Sequence, residues 1–459
     1  MRYRKELDVL GKVKVPSDAY YGSETQRAID NFPISGMRMP KEFIRAYVMI
    51  KKSSAIANSK LGRLDAAKGA AIIRACNEIL SGKLWDQFVV DIFQAGAGTN
   101  TNMNVNEVIA NRAIEILGGK KGDYRIVHPN DHVNMSQSTN DTFHSAIRVS
   151  AYLALREKLA PALAALEKSL KRKSAEFAGI VKTGRTHLQD AVPITLGQEF
   201  SAYAAAAGKA RDALLRSSEV FLEIPAGGTA VGTGINAPAN FSREMLAALN
   251  RETGARFRKP KNMFYAMQNQ IDEMALGELL GQTAVGLGKI ANDLRLLSSG
   301  PYGGINEIVL PAVQPGSSIM PGKINPSVPE MLNMVCFQVI GNSTAIRWAA
   351  NAGQLELNVF MPIIAFNLLF SIEILTNAVK VFEKRCVRGI RANLDAINRN
   401  LYNNLALATA LSPYVGYAKA SLIAKRAYKE GKGIIDVCME MKLMDRKKLR
   451  SILDPKKMV

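Results

Sequence analysis

Five segments of this chain carry apolar residues at three- and four-residue spacing over lengths that few folds can accommodate. They run from Thr142 to Phe177, Leu196 to Leu222, about Gln268 to Leu297, Pro326 to Ala350 and Gln354 to Glu383. This spacing predicts helices, each roughly 24 to 36 residues long against an ordinary mean of about 11 to 12. Pro161 should bend the first of them. Helices of this length with apolar faces need more cover than one chain supplies, so the pattern predicts a helical bundle completed by further copies of the chain. The expected fold class is mainly α, in three domains: an N-terminal cap over 1–137, a long-helix bundle over 138–390 and a small C-terminal helical domain over 391–459.

Composition narrows the class of protein. At 47% hydrophobic and 22% charged residues, the 459-residue chain reads as globular. The uncharged run between Glu356 and Glu373 is broken by Asn358, Pro362 and Asn367, which suits a buried core helix, since a membrane span needs about 20 mainly apolar residues. The N-terminal "MRYRKELDVLGKVKVP" lacks the apolar stretch of a signal peptide, so a cytoplasmic location is expected. Cys76, Cys336, Cys386 and Cys438 are far apart with no CxxC pair, as befits a reducing compartment without disulfides or zinc. A formal charge of +20 raises the question of nucleic acid, but the basic residues are scattered and only "LKRKS" and "DRKKLR" form runs. Nucleic acid is not the expected partner; the charge suits steering of a small anion or solubility.

Between the helices lie four segments too polar for packing to explain: Gln94–Ala113, His128–Asp141, Gly184–Phe200 and "GSSIMPGKINP", Gly316–Pro326. The last resembles a phosphate loop, but five residues separate Gly316 from Gly322 and Ile324 follows Lys323. A Walker loop has four residues between its glycines and a magnesium-binding hydroxyl after the lysine. One segment of Ser, Thr and Asn at a helix start is more often a simple cap. Four of them, with a lysine and a histidine among them, point to a site for a small oxygenated anion. Two other motifs carry less. "VGTGINA" matches a dinucleotide-binding pattern, but no strand precedes it, so a turn is expected. His128 and His132 stand four apart, but Pro129 argues against a regular helix, so no metal is expected there.

With these motifs in this order, the chain resembles the fumarase/aspartase superfamily over essentially its whole length. The resemblance implies a helical homotetramer with active sites shared by three subunits, no cofactor, and elimination from a small dicarboxylate to release fumarate. It implies that Ser317 is the general base, helped by Lys323 and by backbone N–H groups of a loop that closes over the substrate. Thr99, Ser138, Thr139 and Ser318 would surround the carboxylate that becomes the aci-anion. Lys323, Asn325 and Thr186 would hold the other carboxylate, Asn140 and His187 would lie near the leaving group, and Glu330 would orient His187. Arg125, His128, Asn130 and Asp131 match a second dicarboxylate site. "QSTND", "DAYYG", "GAGT" and "VPE" resemble aspartases, which favours ammonia as leaving group, whereas "HPNDHVN" and "NDTF" fit fumarases equally. Two residues depart from the pattern: Tyr302 stands where many relatives have arginine, which puts the packing of its loop in question, and His144 stands where they have proline. The wider family includes structural lens proteins, but Ser317, Lys323, Asn325, Thr99 and His187 together favour an enzyme.

Overall fold

The computed structural model describes residues 2–459. Strands β1 (Tyr3–Asp8) and β2 (Gly11–Pro16) lead into helices α1 (Ser23–Asn31), α2 (Lys41–Lys60), α3 (Ala66–Leu80), α4 (Thr99–Ile116), α5 (Thr139–Ala154) and α6 (Ala160–Glu176). Strands β3 (Val181–Thr186) and β4 (Gln189–Thr195) follow, then α7 (Leu196–Ser217), α8 (Phe241–Thr253), α9 (Met263–Gln268) and α10 (Ile271–Leu297). After β5 (Ile308–Val309) come α11 (Ser327–Asn351), α12 (Met361–Arg385), β6 (Arg391–Ala392) and α13 (Leu394–Tyr402), and short helices complete the chain. Among the described residues the strands pair two at a time, all antiparallel: β1 with β2, β3 with β4, β5 with β6.

The mainly helical expectation holds, and four of the five long periodic segments are helical over most of their length; the fifth, expected from Gln354, becomes helical only at Met361, after Asn358 Oδ1 accepts from Phe360 N. The first does not bend at Pro161. A π turn over Leu155–Leu159 joins α5 to α6 instead; proline has no N–H to offer the carbonyl four residues back, and a widened turn just before it absorbs the mismatch. By length and composition, the stretch Met361–Gly389 is apolar enough to cross a membrane, yet 67% of its most apolar window is buried inside the protein. That burial suits the expected core helix.

The chain forms two compact units. One comprises the chain to Pro161 with Asp212–Ala284 and Phe337–Thr376; the other comprises Ala162–Arg211, Val285–Cys336 and Asn377–Val459. The first unit is built around α5, in which every residue from Asp141 to Ala154 is buried. Its aromatic contact is with α2: the Phe143 ring lies 4.7 Å from Phe43 and 6.0 Å from Tyr47. A helix buried on all sides tolerates polar residues only if they are satisfied. Thr142, Ser145 and Ser150 donate their hydroxyls back to the carbonyls of Ser138, Asp141 and Ala146. The second unit holds the β3–β4 hairpin, the Gly316–Pro326 loop and a separate C-terminal core around Leu411, Ile423, Val437 and Leu449.

Candidate active site

The residues expected to touch substrate fall into two sets, one in each unit. In the first unit, Thr99 opens α4 directly after two left-handed residues, Ala97 at φ 60° and Gly98 at φ 83°. A side chain at Gly98 would place its Cβ 2.0 Å from the Phe143 ring, so only glycine lets the turn lie against α5. Ala97 N donates to the Val359 carbonyl at 2.7 Å, fixing the turn from its other side. Thr99 itself is exposed.

Ser138 caps α5, its hydroxyl accepting from Asn140 N at 3.3 Å, while Asp141 returns the bond to Ser138 N at 2.9 Å. Asp141 also accepts from Gly227 N and Thr229 N and is fully buried. Burial pushes its carboxyl up to about 6, against those backbone bonds and the nearby Lys51. The Asn140 side chain donates to the Ala230 carbonyl at 2.7 Å, and Thr139 accepts from Asn102 Nδ2 at 2.9 Å. Three of the expected polar side chains thus sit in sequence at one helix start, where backbone N–H groups and the helix dipole favour an anion.

In the second unit, Thr186 and His187 belong to the β3–β4 hairpin. Thr186 pairs with Gln189, leaving His187 and Leu188 as a two-residue turn at φ 56° and φ 60°. Such a turn needs left-handed backbone at both positions and normally uses Asn and Gly. The register shifts between Thr183 and Arg185; a Cβ on Gly184 would lie 2.5 Å from the Val192 carbonyl. The hairpin is anchored by Glu307, whose carboxylate is fully buried. Arg185 reaches it with two bonds of 3.1 and 2.9 Å, Lys182 lies 3.0 Å away, and Asn400 donates at 3.1 Å. Burial raises the Glu307 pKa, but Arg185 and Lys182 outweigh it and the net direction is down.

The Gly316–Pro326 loop closes on itself. Gly316 N donates to the Lys323 carbonyl at 2.9 Å and Asn325 Nδ2 donates to the Gly316 carbonyl at 2.6 Å. A Cβ on Gly316 would fall 2.4 Å from the Lys323 oxygen, and Gly322 takes the left-handed φ of 79°. Ser317 Oγ accepts from Met320 N at 2.9 Å and Ile319 N at 3.2 Å. Two N–H groups aimed at one hydroxyl oxygen stabilise its ionised form. Ser317 and Lys323 line one open cavity of about 550 Å³, and Ser318 is exposed beside them. Glu330 lies in the first turn of α11. Among the described residues, no hydrogen bond or ion pair of the single chain joins Glu330 to His187.

The second expected dicarboxylate group is in the first unit. Arg125 makes two bonds to Asp123, and His128 Nδ1 accepts from Asn130 N and Asp131 N in a π turn over Pro129–Val133. The regular helix doubted because of Pro129 is absent there, and His132 Nδ1 accepts from His128 N. "VGTGINA" is a turn between helices, with Gly232, Gly234 and Asn236 left-handed. Tyr302 extends into solvent, and its loop is held by Ser299 Oγ accepting from Ile305 N and by Asn306 donating to the Pro301 carbonyl. His144 is buried, with Nε2 3.1 Å from Glu273 Oε1.

Sequence reasoning passed over three residues behind this site: Lys51, Asn102 and Asn134. Lys51 is fully buried and donates to Asn134 Oδ1 at 2.7 Å. Burial pulls its amine down to about 7, opposed by Asp141. The available signal was the alternation "TNTNMNVN", which puts asparagine on a helix otherwise made for the core.

The profile of the lyase family matches residues 11–341, and that of the fumarase C C-terminus matches 407–459. A class II fumarate hydratase of Campylobacter jejuni is 46% identical over 100% of this chain and 99% of its own. An aspartate ammonia-lyase of a Bacillus species is 45% identical over 99% and 97%. The crystal structure of a Brucella melitensis fumarate lyase:delta crystallin bound to cobalt superposes with a TM-score of 0.96 at 47% identity, covering 100% of this chain and 99% of that one. Full-length similarity of this kind, with the motifs in the same order, makes the chain a lyase: it belongs to the fumarase/aspartase superfamily.

Proposed function

We propose that this chain is an aspartate ammonia-lyase, catalysing the reversible elimination of ammonia from L-aspartate to give fumarate. The observation that carries the elimination, with either leaving group, is Ser317, whose Oγ lies under two backbone N–H groups and shares a cavity with Lys323. As an alkoxide, Ser317 takes the proton from the carbon beside a carboxylate. The electron pair moves into that carboxylate as an aci-anion, then returns to form the double bond as ammonia leaves. Thr99, Ser138, Thr139 and Ser318 donate to the aci-anion, Lys323, Asn325 and Thr186 hold the second carboxylate, and Asn140 and His187, oriented by Glu330, attend the leaving group. The working form is a cytoplasmic homotetramer in which three subunits complete each active site, which supports an arrangement where Glu330 meets His187 of another chain. The "QSTND" form at Thr139 supports ammonia as leaving group. The second reading is a class II fumarate hydratase, supported by relatives of that name at equal similarity.

The deciding experiment supplies purified protein with L-aspartate and, separately, L-malate, and follows fumarate absorbance. Fumarate and ammonia from aspartate alone establish the ammonia-lyase; turnover of malate alone transfers the assignment to the hydratase; silence on both defeats the functional reading. Ser317→Ala should lower kcat by about a thousandfold or more, the scale of losing a catalytic base, with the helical circular-dichroism spectrum unchanged. Normal turnover by that variant removes Ser317 from the role.

A further inference from the structure

A lysine can only donate hydrogen bonds while it is an ammonium, and a backbone carbonyl can only accept them. With Lys51 charged, these two facts set the direction of each bond in a chain of side chains that ends at Thr139. Lys51 donates to Asn134 Oδ1 at 2.7 Å, so that atom must be the oxygen; Asn134 Nδ2 in turn faces the Gln137 carbonyl at 3.2 Å. With Asn134 fixed, the amide atom of Asn102 3.4 Å from its oxygen must be the nitrogen, and the same Nδ2 donates to Thr139 Oγ1 at 2.9 Å. Thr139 is therefore an acceptor toward the protein, and its own proton is left to point at a ligand. Lys51 and Asn102 are fully buried and Asn134 is half-buried, so both ends of the Asn134 link are shielded from water. The ammonium also lies over the Tyr47 ring at 5.3 Å, which holds it in place.

We propose that Lys51 is a positioning residue for the elimination: through Asn134 and Asn102 it turns the Thr139 hydroxyl outward as a donor to a substrate carboxylate. The inference rests on the functional reading above, since it needs a carboxylate at Thr139. With Lys51 replaced by an apolar residue, only the 3.2 Å bond to the Gln137 carbonyl still holds the Asn134 amide; a flip becomes easier, and once it occurs Asn102 can follow and the Thr139 proton can turn inward to an amide oxygen. The substrate carboxylate then meets a lone pair where it needed a proton.

The test is a double-variant cycle in the intact protein, using whichever of L-aspartate or L-malate the wild type converts. Lys51→Met and Thr139→Val should each lower kcat/KM by roughly tenfold to a hundredfold, the range of a lost substrate-orienting hydrogen bond. The combined variant should be no worse than the poorer single one, because both remove the same donor. A merely structural lysine gives losses that multiply, and that outcome, or unchanged kinetics in Lys51→Met, overturns the relay while leaving the functional reading intact. Should Lys51→Met fail to fold, Asn102→Ala with Thr139→Val reads the same chain, with the same two outcomes. A wild type silent on both substrates overturns the functional reading and the relay together.

Discussion

His187 and Leu188 occupy left-handed backbone that neither prefers, in a turn where Asn-Gly would be free of strain. For an L-residue this region costs about 1–2 kcal/mol, and glycine escapes that cost while losing about 0.5–1 kcal/mol to the unfolded chain. Leu188 is exposed in the single chain, so it gives up little burial. Leu188→Gly should therefore leave the denaturation midpoint equal or higher, while kcat falls because the turn no longer holds His187 rigidly. A lower midpoint would show that relief of backbone strain is outweighed by the freedom glycine gives the unfolded chain. None of this was visible in "GRTHLQDAVP", which announced a polar segment but not a hairpin: the two-residue turn lacks its usual residues. The catalytic candidates were readable one by one because they are short motifs. Their supports were not, since Lys51 and Glu307 acquire meaning only through partners distant in sequence.

At the scale of elements, α5 shows how local rules and tertiary context divide the work. Periodicity places its start at Thr142; the structure starts it at Thr139, where Ser138 and Asp141 form a capping box. Capping and substrate binding were competing explanations for "QSTND", and Ser138 is a cap by its geometry while remaining a candidate donor in the proposed mechanism. The helix middle is held by a buried ion cluster that periodicity could not foretell. Arg148 donates to Glu273 at 2.8 Å and to Asp272 at 2.7 Å, and His144 meets the same Glu273 oxygen. Burial pushes the Glu273 carboxyl up, but the Arg148 guanidinium overrides it and brings it down to about 2. Burial also lowers His144, against Glu273. A carboxylate whose folded pKa lies below its ordinary 4.5 gives stability that is full above that value and lost as pH falls toward 2. Glu273→Gln should remove this part of the acid-unfolding slope and cost about 3–5 kcal/mol at neutral pH, because Arg148 is left buried without its charge partner. Equilibrium denaturation across that pH range checks both; a variant with the wild-type slope would show that another carboxylate carries it.

At the scale of the molecule, length of helix was the signal that reached furthest, because periodic burial is additive along a chain while polar contacts are not. Pro161 was accommodated by a π turn and Asn367 by a bond back to Ile363, whereas Asn358 and Pro362 mark where the fifth segment starts, at Met361 and not Gln354. The same periodicity predicts oligomerisation, and α11 gives that prediction a surface. Met334, Phe337 and Trp348 are 63%, 65% and 69% exposed in the single chain and recur on one stripe of the helix with Gly341, whose Cβ position is open. Fully burying such a side chain is worth roughly 1.5–3 kcal/mol, so several of them on each of several copies supply a strong drive to associate. The native protein should therefore run in light scattering at about four times the 50.0 kDa of one chain. Phe337→Glu with Trp348→Glu should shift it to smaller species that keep their helical spectrum, since both positions already tolerate water in the single chain. If each active site draws residues from three subunits, those species will form no fumarate, whatever the leaving group. A native mass of one chain would defeat the tetramer, and a dissociated variant with full activity would confine each site to a single subunit.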